Sequence, residues 1–509
     1  MSEQPTFLSM ANGASVPRSK LPRLPLDDFR KSVVGATKRG RRVAALFGHL
    51  TGEGGVGLVA VLAADADGLL DVTTTELTSN AFPSMTPDCP EVHLFEREIA
   101  ENWGVTPEGH PWLKPVRFSP PMREPTNGAA AKAGGPTTIG VTDFYKIEGE
   151  EAHEVAVGPV HAGVIEPGHF RFQCHGEQVF HLEISLGYQH RGLERALVGG
   201  PNKRTIHYVE TLAGDTTVGH ATAYCQVVEG LSGTHAPARA LALRAIGLEL
   251  ERLANHTGGL AALANDVGFL PTASFCGRLR GDYLNLSAVL CGSRFGRGLV
   301  RPGGAGFDAD ANRLKEMSTK IELAFRDTDQ AVKLLWDTPS VMARFEETGR
   351  VETGVARQLG LVGVAARACG LKRDVRKTHP SGYYRFAHIP ISTWMSGDVF
   401  SRAYVRWLEI ERSVDFLRGQ FRRLPEGPMR VSPGPLRPDH LAVSLVEGWR
   451  GEICHVAMTD EVGRFAAYKV VDPSFHNWTA LAMALREQQI SDFPLCNKSF
   501  DLSYCGHDL

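Results

Sequence analysis

Residues Tyr208 to Cys225 read YVETLAGDTTVGHATAYC, a Gly-Asp-Thr-Thr turn that leads into a helix of small residues. Such a turn is a setting in which a Cys-x-x-Cys pair points thiolates at a buried ion, yet the turn itself holds no cysteine. The stretch has the frame of a redox site without its ligands. Outward from it the chain is helical in pattern: PARALALRAIGLELERLANH and GDVFSRAYVRWLEIERSVDFLRGQF are long and apolar at helical spacing. The segments around Thr217 to Leu231 and Val399 to Phe421 are apolar on more than one face, which predicts that they need partners. Upstream, HFRFQCHGEQVFHLEISLG predicts a hairpin turning at His175-Gly176. Residues 144–509 therefore read as a mainly α-helical bundle with a small β-sheet at its start.

The first part of the chain has a different pattern. After an N-terminal extension over 1–24, the runs RVAALFGH, VGLVAVLAAD and LLDVTTTEL are short and β-branched, separated by Gly-rich or Asp-rich turns. In CPEVHLFEREIAENWG, Pro90 suits a first helical turn, Val92, Phe95, Ile99 and Trp103 share a face, and Gly104 suits the C-terminal cap. Residues 25–118 thus read as an α+β domain. GEGGVG (Gly52 to Gly57) fits a dinucleotide fingerprint in spelling, but the strand-like LVAVLA follows it where a helix should, so it reads as a hairpin turn. The basic run Lys38 to Arg42 reads as a solvated lead-in to a strand. Residues 119–143, rich in Pro, Gly and Ala, read as a tether between the domains.

Composition narrows the function. The 509 residues are 43% hydrophobic and 22% charged, enough for a large core, and the formal net charge of −2 removes the electrostatic case for nucleic acid as a partner. No window approaches the roughly 18–20 apolar residues of a membrane-spanning helix, and the N-terminus lacks the order of a secretory signal. The expectation is a cytosolic chain, or one facing the cytosol on a membrane complex. Nine cysteines are scattered singly and read as reduced core thiols.

Five separated segments carry a family resemblance. FPSMTPDCPEVHLFEREIAENWGVTPEGHPWLKPVRF (Phe82 to Phe118) resembles the C-type docking subunit of respiratory NADH-quinone oxidoreductase. From Val157 onward, VGPVHAGVIEPGHFRF, GYQHRGLERAL, LKRDVRKTHPSGYYRF and GDVFSRAYVRWLEIERS resemble its D-type subunit and the large subunits of membrane-bound group 4 [NiFe] hydrogenases. The fused arrangement is similar to that of the formate hydrogenlyase and hydrogenase-4 large subunits. The resemblance implies a docking domain over 25–118 and a hydrogenase-large-subunit-like domain over 144–509. It also implies a peripheral subunit on the cytoplasmic side of a membrane complex. The implied partners are an iron–sulfur small subunit carrying a 4Fe-4S cluster, a ferredoxin-like iron–sulfur subunit, and membrane subunits of the H-type and antiporter type.

The departures from that family shape the functional reading. Active group 4 hydrogenases hold nickel and iron on two Cys-x-x-Cys pairs. Here Ala213 and Thr216 occupy the first pair of positions and Ser503 and Gly506 the second, with Cys505 one residue out of register. Neither Ala nor Gly can coordinate a metal, so no metal is expected on this chain. In respiratory complex I the same metal-free frame ends a quinone cavity, and the resemblance then assigns Tyr208 as hydrogen-bond donor to the quinone, against the alternative of a packed core tyrosine. The second head-group residue of that family is a histidine, for which His169 is the nearest candidate. Its loop is longer here and reads Glu166-Pro167 as group 4 hydrogenases do, which points to Glu166 as a proton relay. Asp266 matches the aspartate that pairs with that histidine. Arg278, Arg280, Arg373, Asp374 and Arg376 match buried charges at the family's cavity and cluster face, forming either a structural network or a proton path. His190, Arg191 and Glu194 of HRGLER read as structural, and His161 as an unassigned loop histidine. Three roles stay open: an oxidoreductase subunit that couples redox or conformational change to ion movement, a non-catalytic scaffold in an ion-translocating complex, and, in third place, a group 4 hydrogenase.

Overall fold

A computed structural model describes residues 5–52, 54–123, 139–161 and 165–509, so most of the tether expected over 119–143 lies outside the described residues. The chain is a mixed α/β structure of several helices and small sheets. In chain order the elements used below begin with strands β1 (Leu8–Ala11) and β2 (Ser15–Pro17), helix α1 (Leu26–Lys38), strands β3 (Arg42–Leu50), β4 (Val56–Ala64) and β5 (Leu69–Glu76), and helix α2 (His93–Trp103). Strands β6 (Ala152–Val157), β7 (His169–His175) and β8 (Gln178–Ser185) follow. Then come helices α3 (Thr205–Glu210), α4 (Thr217–Ser232), α5 (Ala238–Asp266), α6 (Leu270–Cys291), α7 (Ala311–Trp336) and α8 (Val399–Arg422). The chain closes with strands β9 (His440–Glu447), β10 (Glu452–Thr459) and β11 (Phe465–Val471) and helices α9 (Pro473–Ala484) and α10 (Tyr504–Asp508).

Several local expectations hold. α2 follows Pro90 and ends on Gly104 in the left-handed region at φ 63°, where a glycine costs no Cβ strain. β3 and β4 pair antiparallel across residues 51–55, so the glycine-rich run is a hairpin connection. β7 and β8 form the hairpin expected around His175-Gly176.

The stretch before residue 25, read from sequence as an extension, takes part in two sheets. β1 pairs with β5 at the edge of a sheet ordered β1-β5-β4-β3, while β2 pairs with β9 at the edge of a second sheet ordered β11-β10-β9-β2. Asn12 fixes the crossing: its side-chain amide donates to the carbonyls of His379 and Leu445 and accepts the Leu445 N–H.

The second sheet was not anticipated from sequence, and its burial explains why. Leu441, Val443, Leu445, Cys454, Val456 and Met458 share one core with Val59, Val61 and Phe95 of the first part of the chain. The alternate residues Ala442, Val446, Ile453 and Ala457 share the other core, with Val218, Ala221 and Val228 of α4. A sheet covered on both faces loses the apolar-polar alternation that marks a strand in sequence. The result is a layered body: the β3–β5 sheet, against which α1 and α2 pack, the β9–β11 sheet, then α4 with α5 to α8.

Two expectations are corrected here. α4 and α8 do not require other subunits to cover them, because nearly every residue of α4 and most of α8 are buried within this chain. The Lys38–Arg42 run is also not simply solvated. Arg42 is 2% exposed and forms ion pairs with Glu452 at 2.7 Å and Asp65 at 2.8 Å, joining the two sheets.

Candidate functional site

The Gly-Asp-Thr-Thr turn and the C-terminal turn at residues 503–506 lie against each other, and two arginines tie them. Arg191 donates to the carbonyls of Thr211 and Leu212 at 2.8 and 2.6 Å and to that of Cys505 at 3.4 Å. Arg450 grips Asp215 through two bonds of 2.6 and 2.7 Å, reaches the Thr216 hydroxyl at 3.2 Å, and donates to the Asp501 carbonyl at 2.5 Å. A bidentate, charge-assisted pair of this kind fixes both distance and orientation. The frame expected for a metal-binding turn is therefore present as backbone geometry.

The donor set of such a site is not. Ala213 offers no ligand atom. The Thr216 hydroxyl donates to Asp215 and accepts from Arg450, the Ser503 hydroxyl accepts the Gly506 N–H at 2.9 Å as the cap of α10, and Gly506 has no side chain. Cys505 contacts the Ser503 hydroxyl at 3.4 Å, and burial, with the Glu166 carboxylate beside it, pushes its thiol up to about 11. A nickel–iron centre needs four thiolates, and the two turns offer one cysteine, out of register, beside hydroxyls already engaged, so these residues do not fit such a centre.

Glu166 belongs to this constellation. Its two carboxylate oxygens accept the Tyr504 and Cys505 N–H groups, each at 3.3 Å, at the N-terminus of α10. Tyr208 lies on α3, the helix that leads into the first turn, and is half-buried; among the described residues its hydroxyl has no hydrogen-bond partner. His169 is buried. One ring nitrogen bonds the Gly158 carbonyl at 2.9 Å and the other accepts from Arg171 at 3.3 Å, while its ring lies against Phe144. It makes no bond with Asp266, which is exposed at the end of α5 with Lys498 and Asp501 as its charged neighbours. The histidine–aspartate pairing implied by the resemblance is thus not formed. His161 bonds the Gly168 carbonyl at 3.1 Å.

The five basic and acidic residues expected at a cavity face separate into four places. Arg278 is a surface residue, 53% exposed and paired with Asp282 one helical turn away, which corrects its reading as a buried charge. Arg280 is half-buried in an open groove of about 500 Å³ beside the first turn, together with Asp215, Asn255, Trp449, Lys498 and Asp501. Arg373 donates to the Leu361 carbonyl at 2.7 Å near the Arg42–Glu452 pair. Only Asp374 and Arg376 enter a buried network, pairing with each other at 2.6 Å, with Arg376 reaching Glu249 at 3.2 Å.

That network is larger than the sequence reading found. Arg252 bridges Glu249 and Glu409, and Arg367 forms an ion pair with Glu409 at 2.6 Å and donates a hydrogen bond to Glu447 at 2.7 Å. Three buried arginines thus face four carboxylates, and burial pushes the Glu447 carboxyl up to about 7 despite the nearby Arg367. A second missed set links Asp472, His220, His455 and Tyr468 through bonds of 3.1, 3.1 and 2.9 Å. The available signal was LELERLANH: Glu249, Arg252 and His256 recur at helical spacing in an otherwise apolar helix, which places charge on a buried face.

Comparison with known proteins agrees with this frame. Residues 266–438 match the family described as the 49 Kd subunit of respiratory-chain NADH dehydrogenase. Formate hydrogenlyase subunit 5 of Escherichia coli (strain K12) is 28% identical over 84% of this chain and 77% of its own length. The carbon monoxide-induced hydrogenase of Rhodospirillum rubrum is 31% identical over 69% of this chain and 97% of its own. Hydrogenase-4 component G of Escherichia coli (strain K12) is 30% identical over 84% and 76%.

Proposed function

Because the chain belongs to the family that joins the 49-kDa subunit of respiratory NADH dehydrogenase to the large subunits of related hydrogenases, we propose that it is a peripheral subunit of a membrane-bound oxidoreductase. In this reading it docks an iron–sulfur small subunit whose 4Fe-4S cluster faces the tied turns. It works beside a ferredoxin-like subunit and H-type and antiporter-type membrane subunits on the cytoplasmic side. The N-terminal α+β part is the docking domain, and the helical part carries the site. Redox or conformational change at a metal-free cavity, with a quinone as its candidate ligand, is coupled there to ion movement. Among the described residues no helix is long and apolar enough to cross a membrane, which is compatible with a peripheral place.

The observation that carries the reading is Glu166 on the amides of Tyr504 and Cys505, within the frame that Arg191 and Arg450 hold. A carboxylate at that point can pass a proton to or from a bound substrate, and the Tyr208 hydroxyl is a sound donor to a carbonyl that becomes anionic on reduction. The same bonds also favour a second reading, in which Glu166 only fastens the C-terminal turn and the chain is a scaffold. The test is made on the complex purified with its native subunits. Tyr208→Phe and Glu166→Gln should leave assembly intact and lower redox-linked activity by about a hundredfold or more, the lower end of what a positioned acid or base contributes. Wild-type activity in both variants would establish the scaffold instead.

A further inference from the structure

We propose that Asp472 plugs the space between the two turns, so that exclusion of a metal is built into the packing and does not depend only on the absent cysteines. A Cβ added at Gly506 would lie 2.6 Å from the Asp472 carboxyl carbon and 2.7 and 2.9 Å from its oxygens. Such separations are well inside van der Waals contact, and no side chain fits at 506 while that carboxylate stays in place.

A carboxylate on an open surface would swing aside. Asp472 is held on several sides. It caps α9 by accepting the Ser474 N–H at 2.8 Å, and it bonds the His220 ring at 3.1 Å. His220 is held in turn by His455 at 3.1 Å, and His455 by the Tyr468 hydroxyl at 2.9 Å. Asp472, His220, His455 and Tyr468 are 1%, 0%, 0% and 5% exposed. One proton arrangement satisfies the chain with neutral rings: the Tyr468 hydroxyl donates to His455, His455 to His220, and His220 to the carboxylate. Each bond polarises the next toward Asp472, and moving the carboxylate would leave a buried imidazole N–H and a helix N-terminus without acceptors. His220 lies one turn beyond Thr216 on α4, and Asp472 starts the helix that packs on α10, so the chain also fastens the first turn to the second.

The test is a double-mutant cycle on the full-length protein. Gly506→Ala should lower the thermal unfolding midpoint in the Asp472 background and cost distinctly less in an Asp472→Ala background. Equal losses in both backgrounds would overturn the plug. A second measurement uses cadmium as the probe. In the variant carrying Ala213→Cys, Thr216→Cys, Ser503→Cys and Gly506→Cys, the thiolate-to-cadmium ultraviolet band should fall short of four thiolates per ion, and adding Asp472→Ala should increase it. A full four-thiolate band with Asp472 in place would overturn the proposal. Failure of the four-cysteine variant to fold leaves the alanine cycle to decide.

Discussion

Glu251 sits in α5 with both carboxyl oxygens against the start of α4, accepting the Val218 and Gly219 N–H groups at 2.7 and 3.1 Å. Burial pushes its carboxyl up to about 8, outweighing the two backbone bonds, and Asp215 adds to the rise. The folded protein therefore binds a proton that the unfolded chain, titrating near ~4.3, has released. Stability from this group is present at low pH and is lost as pH rises from about 4.3 to about 8, at up to ~1.4 kcal/mol per unit. Glu251→Gln removes the titration, so its stability relative to the wild type should climb across that window and level off above pH 8, as denaturant unfolding at several pH values would report. A difference that stays constant with pH would mean Glu251 is ionised in the fold. Glu98 has the opposite sign. Burial works to raise its carboxyl, but Lys469 and Arg117 hold it down at about 2, so its contribution is lost only as the solution is acidified below ~4. The difference between the two is legible only in three dimensions. In sequence both are glutamates in amphipathic patterns, and nothing local says which one meets a lysine nearly four hundred residues away. Likewise Glu166 could be placed at its turn from its motif, whereas the absence of a bond between His169 and Asp266 could not.

At the scale of elements, local signals served where the chain decides for itself. Pro90 and Gly104 bound α2 because one fixes φ and the other tolerates a positive value, and GEGGVG turned because strands flank it. Local signals failed for β9–β11, whose two buried faces erase the alternation, and for α4, whose all-round apolarity suggested outside partners but is satisfied by the β9–β11 sheet and α5. Gly230 tests that packing. Within α4 an alanine should be favourable by ~1 kcal/mol of helix propensity. Yet a Cβ there would lie 2.5 Å from the Gly13 carbonyl oxygen, on the turn between β1 and β2, and Ser15 already bonds the Gly230 carbonyl at 2.8 Å. Backbone cannot rotate away as a side chain can, so the clash should win. Gly230→Ala is expected to destabilise the protein by roughly 1–3 kcal/mol, in the range for overpacking, and to speed proteolysis near residues 12–18. A stabilised variant with unchanged cleavage would mean the N-terminal strands are only loosely laid on α4.

The whole molecule turns on the β9–β11 sheet being shared. Its outer face forms a single core with the β3–β5 sheet, and the same contact buries Arg42 against Glu452, and Lys469 against Glu98 at 2.6 Å and Glu194 at 3.0 Å. Arg117 joins Glu98 from the far side and also donates to the His507 carbonyl at 2.7 Å, beside the C-terminal turn. The parts on either side of residues 119–143 are therefore packed as one body at this sheet, whatever the length of the connection between them. Removing residues 1–138 would expose Leu441, Val443, Leu445, Val456 and Met458 together. At about 1.5–3 kcal/mol for each such side chain, that loss is comparable with the entire stability of an ordinary domain. It would also leave Glu452 without Arg42 and Lys469 without Glu98, and a buried charge stripped of its partner costs several kcal/mol more. The fragment 139–509 should accordingly be aggregated or largely unfolded when produced alone. Production together with 1–138 should restore a soluble one-to-one complex, seen as a single species by size-exclusion chromatography with light scattering. Glu98→Gln in the smaller fragment should weaken that complex more than Arg278→Gln in the larger fragment, because Glu98 is buried between two cations while Arg278 is a surface residue. A monodisperse, cooperatively unfolding 139–509 fragment would show that the sheet is complete without its cover.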